Sequence, residues 1–74
     1  MPYQFLTRHR TPQIGGTSTF SVPSEVFAGE NPYLVGDDVE YSGENWKATE
    51  VYVEHDVVIV VIERPEELMP GPGV

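Results

Sequence analysis

Histidine and carboxylate side chains are the groups in this chain that could bind a metal ion or transfer protons, and the sequence contains two histidines and twelve acids. His55 stands between Glu54 and Asp56, a trio that could hold a metal ion loosely. The trio falls in a predicted hairpin turn, where neighbouring side chains diverge. We therefore expect a solvated turn and no metal site, since the other histidine, His9, is distant in sequence and cysteine is absent.

Adjacent carboxylates occur at Asp37-Asp38 and Glu66-Glu67. Neighbouring residues on an extended chain point in opposite directions, so neither pair has the geometry to share a proton. No serine or threonine is spaced with a base as a nucleophilic mechanism requires, and the glycine pair at 15–16 is too short for a phosphate loop. The sequence therefore predicts a protein that is not an enzyme and that uses no cofactor.

Six β-branched apolar residues in a row, Val57–Ile62, form the most hydrophobic stretch of the chain. A strand shows alternate side chains to opposite faces, so this strand needs cover on both faces. Leaving one face in water would forgo on the order of 5–9 kcal/mol. We predict that Val58, Val60 and Ile62 contact a partner protein or a second copy; cover by residues 17–22 or 66–69 of the same chain is the alternative.

The segments on either side of Val57–Ile62 are predicted to be short strands. Alternation over Thr17–Val22 predicts a half-buried or edge strand that Pro23 ends, followed by one short turn at 24–28. Asp38–Tyr41 is a brief strand. In Trp46–Glu54 the alternation changes phase near Thr49, which predicts a β-bulge that places Tyr52 opposite Trp46. Strands 46–53 and 57–63 are predicted to form a hairpin.

The stretch V-G-D-D-V-E-Y at 35–41, Gly43, and W-K-A-T-E-V at 46–51 resembles the opening of small SH3-like barrels with a Tudor-like layout. The resemblance covers about residues 33–64. It implies an all-β fold, either an SH3-like barrel or a strongly bent antiparallel sheet. It also implies that Trp46, Tyr41 and Tyr52 could cage a methylated basic side chain by cation–π contact. The alternative is that these rings only pack in the core or across strands.

Prolines and glycines set the predicted boundaries. Residues 1–16 are predicted to be a flexible arm, 17–69 a single small β domain with its compact core at 33–64, and 70–74 a disordered tail. The arm either docks on the acidic body of a second copy or remains a mobile tail. Its predicted contact residues are Tyr3, Phe5, Arg8 and Arg10.

Charge is unevenly distributed in a chain whose net charge is −8. Residues 25–67 carry all twelve acids against Lys47 and Arg64, a balance of −10, whereas residues 1–24 carry two arginines and no acid. Such a body repels phosphates, so we expect no direct binding of nucleic acid. No stretch is long and apolar enough to span a membrane, and the N-terminus has no continuous apolar signal core. We expect the chain in the cytoplasm or inside a macromolecular assembly such as a virion, and neither secreted nor at a membrane.

These observations favour a non-enzymatic protein–protein interaction module that binds a partner protein or itself. Flexible ends around a small β body are typical of an accessory or structural subunit, such as those of phage particles. The alternative is an acidic decoy or inhibitor that occupies a basic, nucleic-acid-type groove of a target protein.

Overall fold

The computed structural model describes residues 1–65, which form one five-stranded mixed sheet. The strands are β1 Tyr3–Gln13, β2 Gly16–Phe27, β3 Asp38–Tyr41, β4 Glu44–Glu54 and β5 Val57–Glu63. Their order across the sheet is β2-β1-β5-β4-β3. Neighbouring strands are antiparallel except β1 and β5, which are parallel. The all-β prediction is confirmed, but the sheet is not closed into a barrel, and the SH3-like barrel is not confirmed.

The hairpin formed by β4 and β5 agrees with the prediction from sequence. Its turn contains His55 and Asp56, both with a positive φ, a conformation that these residue types adopt more readily than most. The register shifts between Ala48 and Glu50, where the β-bulge was expected. The extra residue reverses the alternation, so Trp46, Ala48 and Val51 all pack in the same core.

The predicted flexible arm is a strand instead. Residues 3–13 form β1, which lies between β2 and β5 and is hydrogen-bonded to both. The turn that joins β1 to β2 contains Gly15, whose φ of +89° suits the position of a tight turn where glycine is preferred. The glycines that indicated a flexible arm thus close a hairpin, and residues 1–16 belong to the folded part of the chain.

The second strand is also longer than predicted. β2 continues through Pro23 to Phe27, so the turn expected at 24–28 is largely strand. Pro23 is tolerated because β2 is an edge strand, where a missing N–H can face the open side. The register shifts between Gln4 and Leu6 of β1, which pair with Val26 and Pro23, so β2 contains one more residue than β1 at this point. The turn or strand predicted at 66–69 and the tail predicted at 70–74 lie outside the described residues.

The two faces of the sheet differ in character. The aromatic face carries the core, in which six side chains are buried: Phe5, Val39, Trp46, Ala48, Val60 and Ile62. Val60 and Ile62 are 0% exposed, and Val58 packs against them. Val60 and Ile62 therefore have no exposed surface for a partner, and residues of the same chain, Phe5 of β1 among them, pack with them. Contact of the partly buried Val58 with a partner stays a prediction. The opposite face, which we call the groove face, contains Leu6, Tyr52 and Ile59.

Candidate binding cleft

A cleft of 490 Å³ opens on the aromatic face where β1, β2, β3 and the segment before β3 meet. Its lining combines five aromatic residues with two glutamates and one serine. The lining residues are Tyr3, Phe5, Glu25, Phe27, Tyr33, Glu40, Tyr41 and Ser42. Residues from distant parts of the sequence therefore share one concave surface.

Phe5 is the centre of the aromatic wall. Its ring centroid lies 5.1 Å from that of Tyr41, 5.5 Å from Phe27 and 5.6 Å from Tyr33. The interplanar angles of 53–60° are tilted rather than stacked, as the quadrupoles of aromatic rings favour. Tyr3 adds a fifth ring 5.3 Å from Phe27. Phe5 is buried by this packing, while its four neighbours are partly exposed.

Local hydrogen bonds hold Tyr33 in place. Its backbone N–H donates to Asn31 Oδ1, and Asn31 Nδ2 donates to the Tyr33 carbonyl, both at 2.9 Å. The turn that follows is fastened to β4, since the N–H of Gly36 donates to the Ala48 carbonyl at 2.8 Å. The N–H of Ala48 in turn donates to the Asp37 carbonyl at 2.9 Å. These hydrogen bonds fix the position of the Tyr33 ring, although Tyr33 lies in a segment without regular secondary structure.

Glu25 reaches the cleft through the register irregularity between β1 and β2. Ser24 organises this point: its Oγ accepts a hydrogen bond from the Phe5 N–H at 2.9 Å and donates to the Glu25 carbonyl at 2.7 Å. Glu40 contributes to the lining from β3, and both glutamates are exposed. Aromatic faces together with carboxylates attract cations, by the ring quadrupole and by charge. The cleft is therefore suited to an organic cation.

The structure brings together two of the three residues of the predicted aromatic cage: the ring centroids of Tyr41 and Trp46 lie 6.4 Å apart, whereas Tyr52 is on the other face. Trp46 is 3% exposed, and its Nε1 donates to the Tyr41 carbonyl at 2.9 Å. Arg64 covers the indole, with its guanidinium carbon 5.3 Å from the ring centroid. Tyr52 lies on the groove face, as the bulge predicts. Of the three, only Tyr41 lines the cleft. Trp46 is a core packing residue, as the alternative to the cage predicted.

The predicted arm contacts divide into two groups. Tyr3 and Phe5 line the cleft, whereas Arg8 and Arg10 form ion pairs with Glu63 on β5. The two arginines therefore pair with a buried acid of the same chain. Five residues of the cleft were not predicted as site residues: Glu25, Phe27, Tyr33, Glu40 and Ser42. The alternation of Tyr3, Phe5, Thr7 and His9 was a signal for β1, but nothing local places Tyr33 beside it.

The groove face carries a second, more apolar depression of 320 Å³. Its apolar lining residues are Leu6, Pro23, Val57 and Ile59, and the others are Gln4, Tyr52, Glu54 and His55. Its polar groups are the Gln4 amide, the Tyr52 hydroxyl, the Glu54 carboxylate and the His55 ring. The depression therefore has a less definite chemistry than the cleft.

Ionisable groups elsewhere form no metal site within residues 1–65. His55 Nε2 lies 3.8 Å from Glu54 Oε1 in an exposed turn, which agrees with the expectation of a solvated trio. At the N-terminus, the Met1 ammonium group donates to Glu30 Oε1 at 2.8 Å. This hydrogen bond, reinforced by the charge attraction, lowers the pKa of Glu30. Across residues 1–65 no helix has the length and apolarity to cross a membrane.

The fold and the cleft define a small all-β protein with one open mixed sheet and an acidic aromatic cleft. A scan against models of protein families, a search of curated proteins and a search of solved structures each found no match.

Proposed function

We propose that this chain is a non-enzymatic protein-interaction module that takes a basic side chain of a partner protein into the aromatic cleft. The observation that carries the proposal is the convergence of five rings, Glu25 and Glu40 on one concave surface. A lysine or arginine side chain has an apolar stem that suits the rings and a charged end that suits the carboxylates. The net charge of −8 further favours a basic partner.

The chain itself contains one example of this mode of contact. The Arg64 guanidinium lies over the Trp46 ring at 5.3 Å while its Nη1 contacts Glu44 Oε1 at 3.3 Å. The Arg64 guanidinium thus contacts both the Trp46 ring and the Glu44 carboxylate. The cleft offers the same two kinds of group to a cation from outside.

We propose that the module serves as an accessory or structural subunit of a larger assembly, in the cytoplasm or within the assembly. The acidic surface is what supports a protein partner over nucleic acid or an anionic membrane. A Tudor-like ancestry stays a proposal, supported by the motif at residues 35–51 alone.

The test is to titrate the protein with a short peptide that carries one arginine and to monitor the amide signals by two-dimensional NMR. The same peptide with citrulline in place of arginine is titrated for comparison. Citrulline keeps the shape of arginine and lacks its charge, so only the arginine peptide should shift the amide signals of residues that line the cleft. Glu25→Gln with Glu40→Gln should weaken binding about 3- to 30-fold, as expected for loss of charge-assisted contacts. Glu54→Gln on the groove face is the matched control and should have no effect.

Equal binding of both peptides, or shifts confined to the groove face, would rule out a cation site in the cleft. Either result would leave an apolar contact as the mode of interaction. Absence of binding by the arginine peptide at every concentration would count against the proposal as a whole.

The acidic body also supports a second candidate, a decoy that occupies a basic groove of a target protein. The supporting observation is the balance of −10 over residues 25–67. A decoy would depend on many exposed carboxylates, so its binding should weaken steeply with salt and be insensitive to Tyr33→Leu. Binding through the cleft should instead depend on Tyr33 and respond to salt only moderately.

A further inference from the structure

The hairpin of β1 and β2 extends beyond the rest of the sheet. β1 is paired with β5 only from Tyr3 to Arg8, whereas its pairing with β2 continues to Gln13. Residues 9–13 and 16–20 therefore form a two-stranded ribbon without a third strand. Ribbons of this kind are marginally stable in water, and a further strand stabilises them.

The two edges of the sheet are protected to different degrees. β3 is an edge of four residues that include Asp38 and Glu40, and short charged edges resist pairing with other chains. β2 is an edge of twelve residues, and its first nine, residues 16–24, carry no charge. Phe20 and Val22 are half-exposed on this strand, at 50% and 48%. Pro23, which cannot donate a backbone hydrogen bond to another strand, lies near the end of this uncharged stretch.

The turn determines which backbone groups of β2 face outward. Gln13 and Gly16 flank a two-residue turn and are the hydrogen-bonded pair that closes it. Alternation along the ladder then directs the N–H and C=O groups of Thr17, Thr19 and Ser21 away from β1. Both prolines of the hairpin, Pro12 and Pro23, fall at outward positions, where no ladder donor is lost.

We propose that the outer edge of β2 pairs antiparallel with β2 of a second copy of this chain, about a two-fold axis at Thr19. In this register Thr19 lies opposite the partner's Thr19, and Thr17 lies opposite the partner's Ser21. The neutral stretch pairs with itself, and Pro23 stays outside the paired segment.

Side-chain packing and charge both favour this register. Ser18 faces the partner's Phe20 on the aromatic face, which places the two Phe20 rings at diagonal positions that aromatic side chains can bridge. On the groove face, threonine lies opposite threonine, a favourable cross-strand pair. Two chains of charge −8 repel elsewhere, so a segment without acids is where a second copy can approach. The open edge therefore fits a second copy of itself.

The experiment measures the mass of the whole chain in solution by light scattering over a dilution series, beside three variants. Thr19→Pro and Thr17→Pro each remove one outward N–H that the hairpin itself does not use, in the manner of Pro12 and Pro23. Thr19→Ala keeps the N–H and is the matched control. Circular dichroism checks that each variant retains the parent's strand content.

We expect a dimer for the parent and for Thr19→Ala, and a folded monomer for the proline variants. The proline variants should lower the association constant by about tenfold or more, since each removes two symmetric hydrogen bonds. Amide hydrogen exchange at Thr17, Thr19 and Ser21 should slow as the parent's concentration rises.

A parent that remains monomeric at every concentration overturns the proposal, as does a proline variant that dimerises as tightly as the parent. If only one proline variant folds, the association constant of that variant tests the proposal. Because residues 17–21 of β2 do not line the cleft, loss of dimerisation leaves the proposed cation binding intact, and the two proposals can fail independently.

Discussion

Arg10 Nη2 lies 2.9 Å from Oε1 of Glu63, whose side chain is only 2% exposed. Arg8 Nη1 is 3.8 Å from the other carboxylate oxygen, Oε2, which also accepts a hydrogen bond from the Thr49 hydroxyl at 3.1 Å. Among the described residues Oε1 has no well-aligned hydrogen bond, so its contact with Arg10 is chiefly an ionic attraction. Two cations from β1 and one buried anion from β5 thus join the parallel pair of strands.

Glu63→Gln should lower the free energy of unfolding by about 1–3 kcal/mol. Breaking a fully buried ion pair costs more, but the two arginines are partly exposed, at 29% and 44%, and solvent screens them. Urea unfolding measures the change. Glu44→Gln removes the exposed pair with Arg64 and is the control, with an expected loss below about 1 kcal/mol. Equal losses in both variants would contradict a special role for Glu63.

Phe5→Ala should destabilise the chain by about 3–5 kcal/mol, because it opens a cavity beneath four aromatic neighbours. Val53→Ala, at an exposed position of β4, should cost less than about 1 kcal/mol. Chemical unfolding of both variants makes the comparison. If residues 1–16 were a flexible arm, Phe5→Ala would have no more effect than Val53→Ala.

Amide hydrogen exchange should divide β1 into two parts. Residues 4–8 lie between β2 and β5 and should exchange slowly, whereas residues 9–13 have only β2 beside them and should exchange faster. The measurement is made in dilute solution, so that association does not protect the ribbon. Uniformly fast exchange across residues 4–13 would contradict the central position of β1.

The carboxyl group of Glu30 should titrate by NMR with a pKa below that of an ordinary glutamate, owing to the hydrogen bond and charge of the Met1 ammonium. A folded-state pKa below the unfolded value means that this contact stabilises the fold above the unfolded pKa. The contribution is lost as the pH falls through the folded pKa. Acetylation of the amino terminus removes the positive charge and should return the pKa toward its ordinary value. An unchanged titration after acetylation would contradict this cause.

The hairpin of β4 and β5 could be predicted from the sequence because its signals are local. The β-branched run of β5, the change of phase near Thr49 and the polar turn at 54–56 specify two strands, their register and the face of Tyr52. The absence of cysteine and the excess of acids are likewise properties of the sequence, and they need no fold to be interpreted.

Only the tertiary structure decided where β1 lies. The prolines and glycines of residues 1–16 indicated a flexible arm, and no local signal says that Phe5 is needed to cover Val60 and Ile62. That cover forms through parallel pairing of β1 with β5, two strands more than forty residues apart along the chain. The cleft depends on the same contact, since Tyr3 and Phe5 meet Tyr33 and Tyr41 only after β1 is inserted. Short-range signals predicted β4 and β5, but burial of both faces of β5 is a property of the whole sheet, and it selected the strand order.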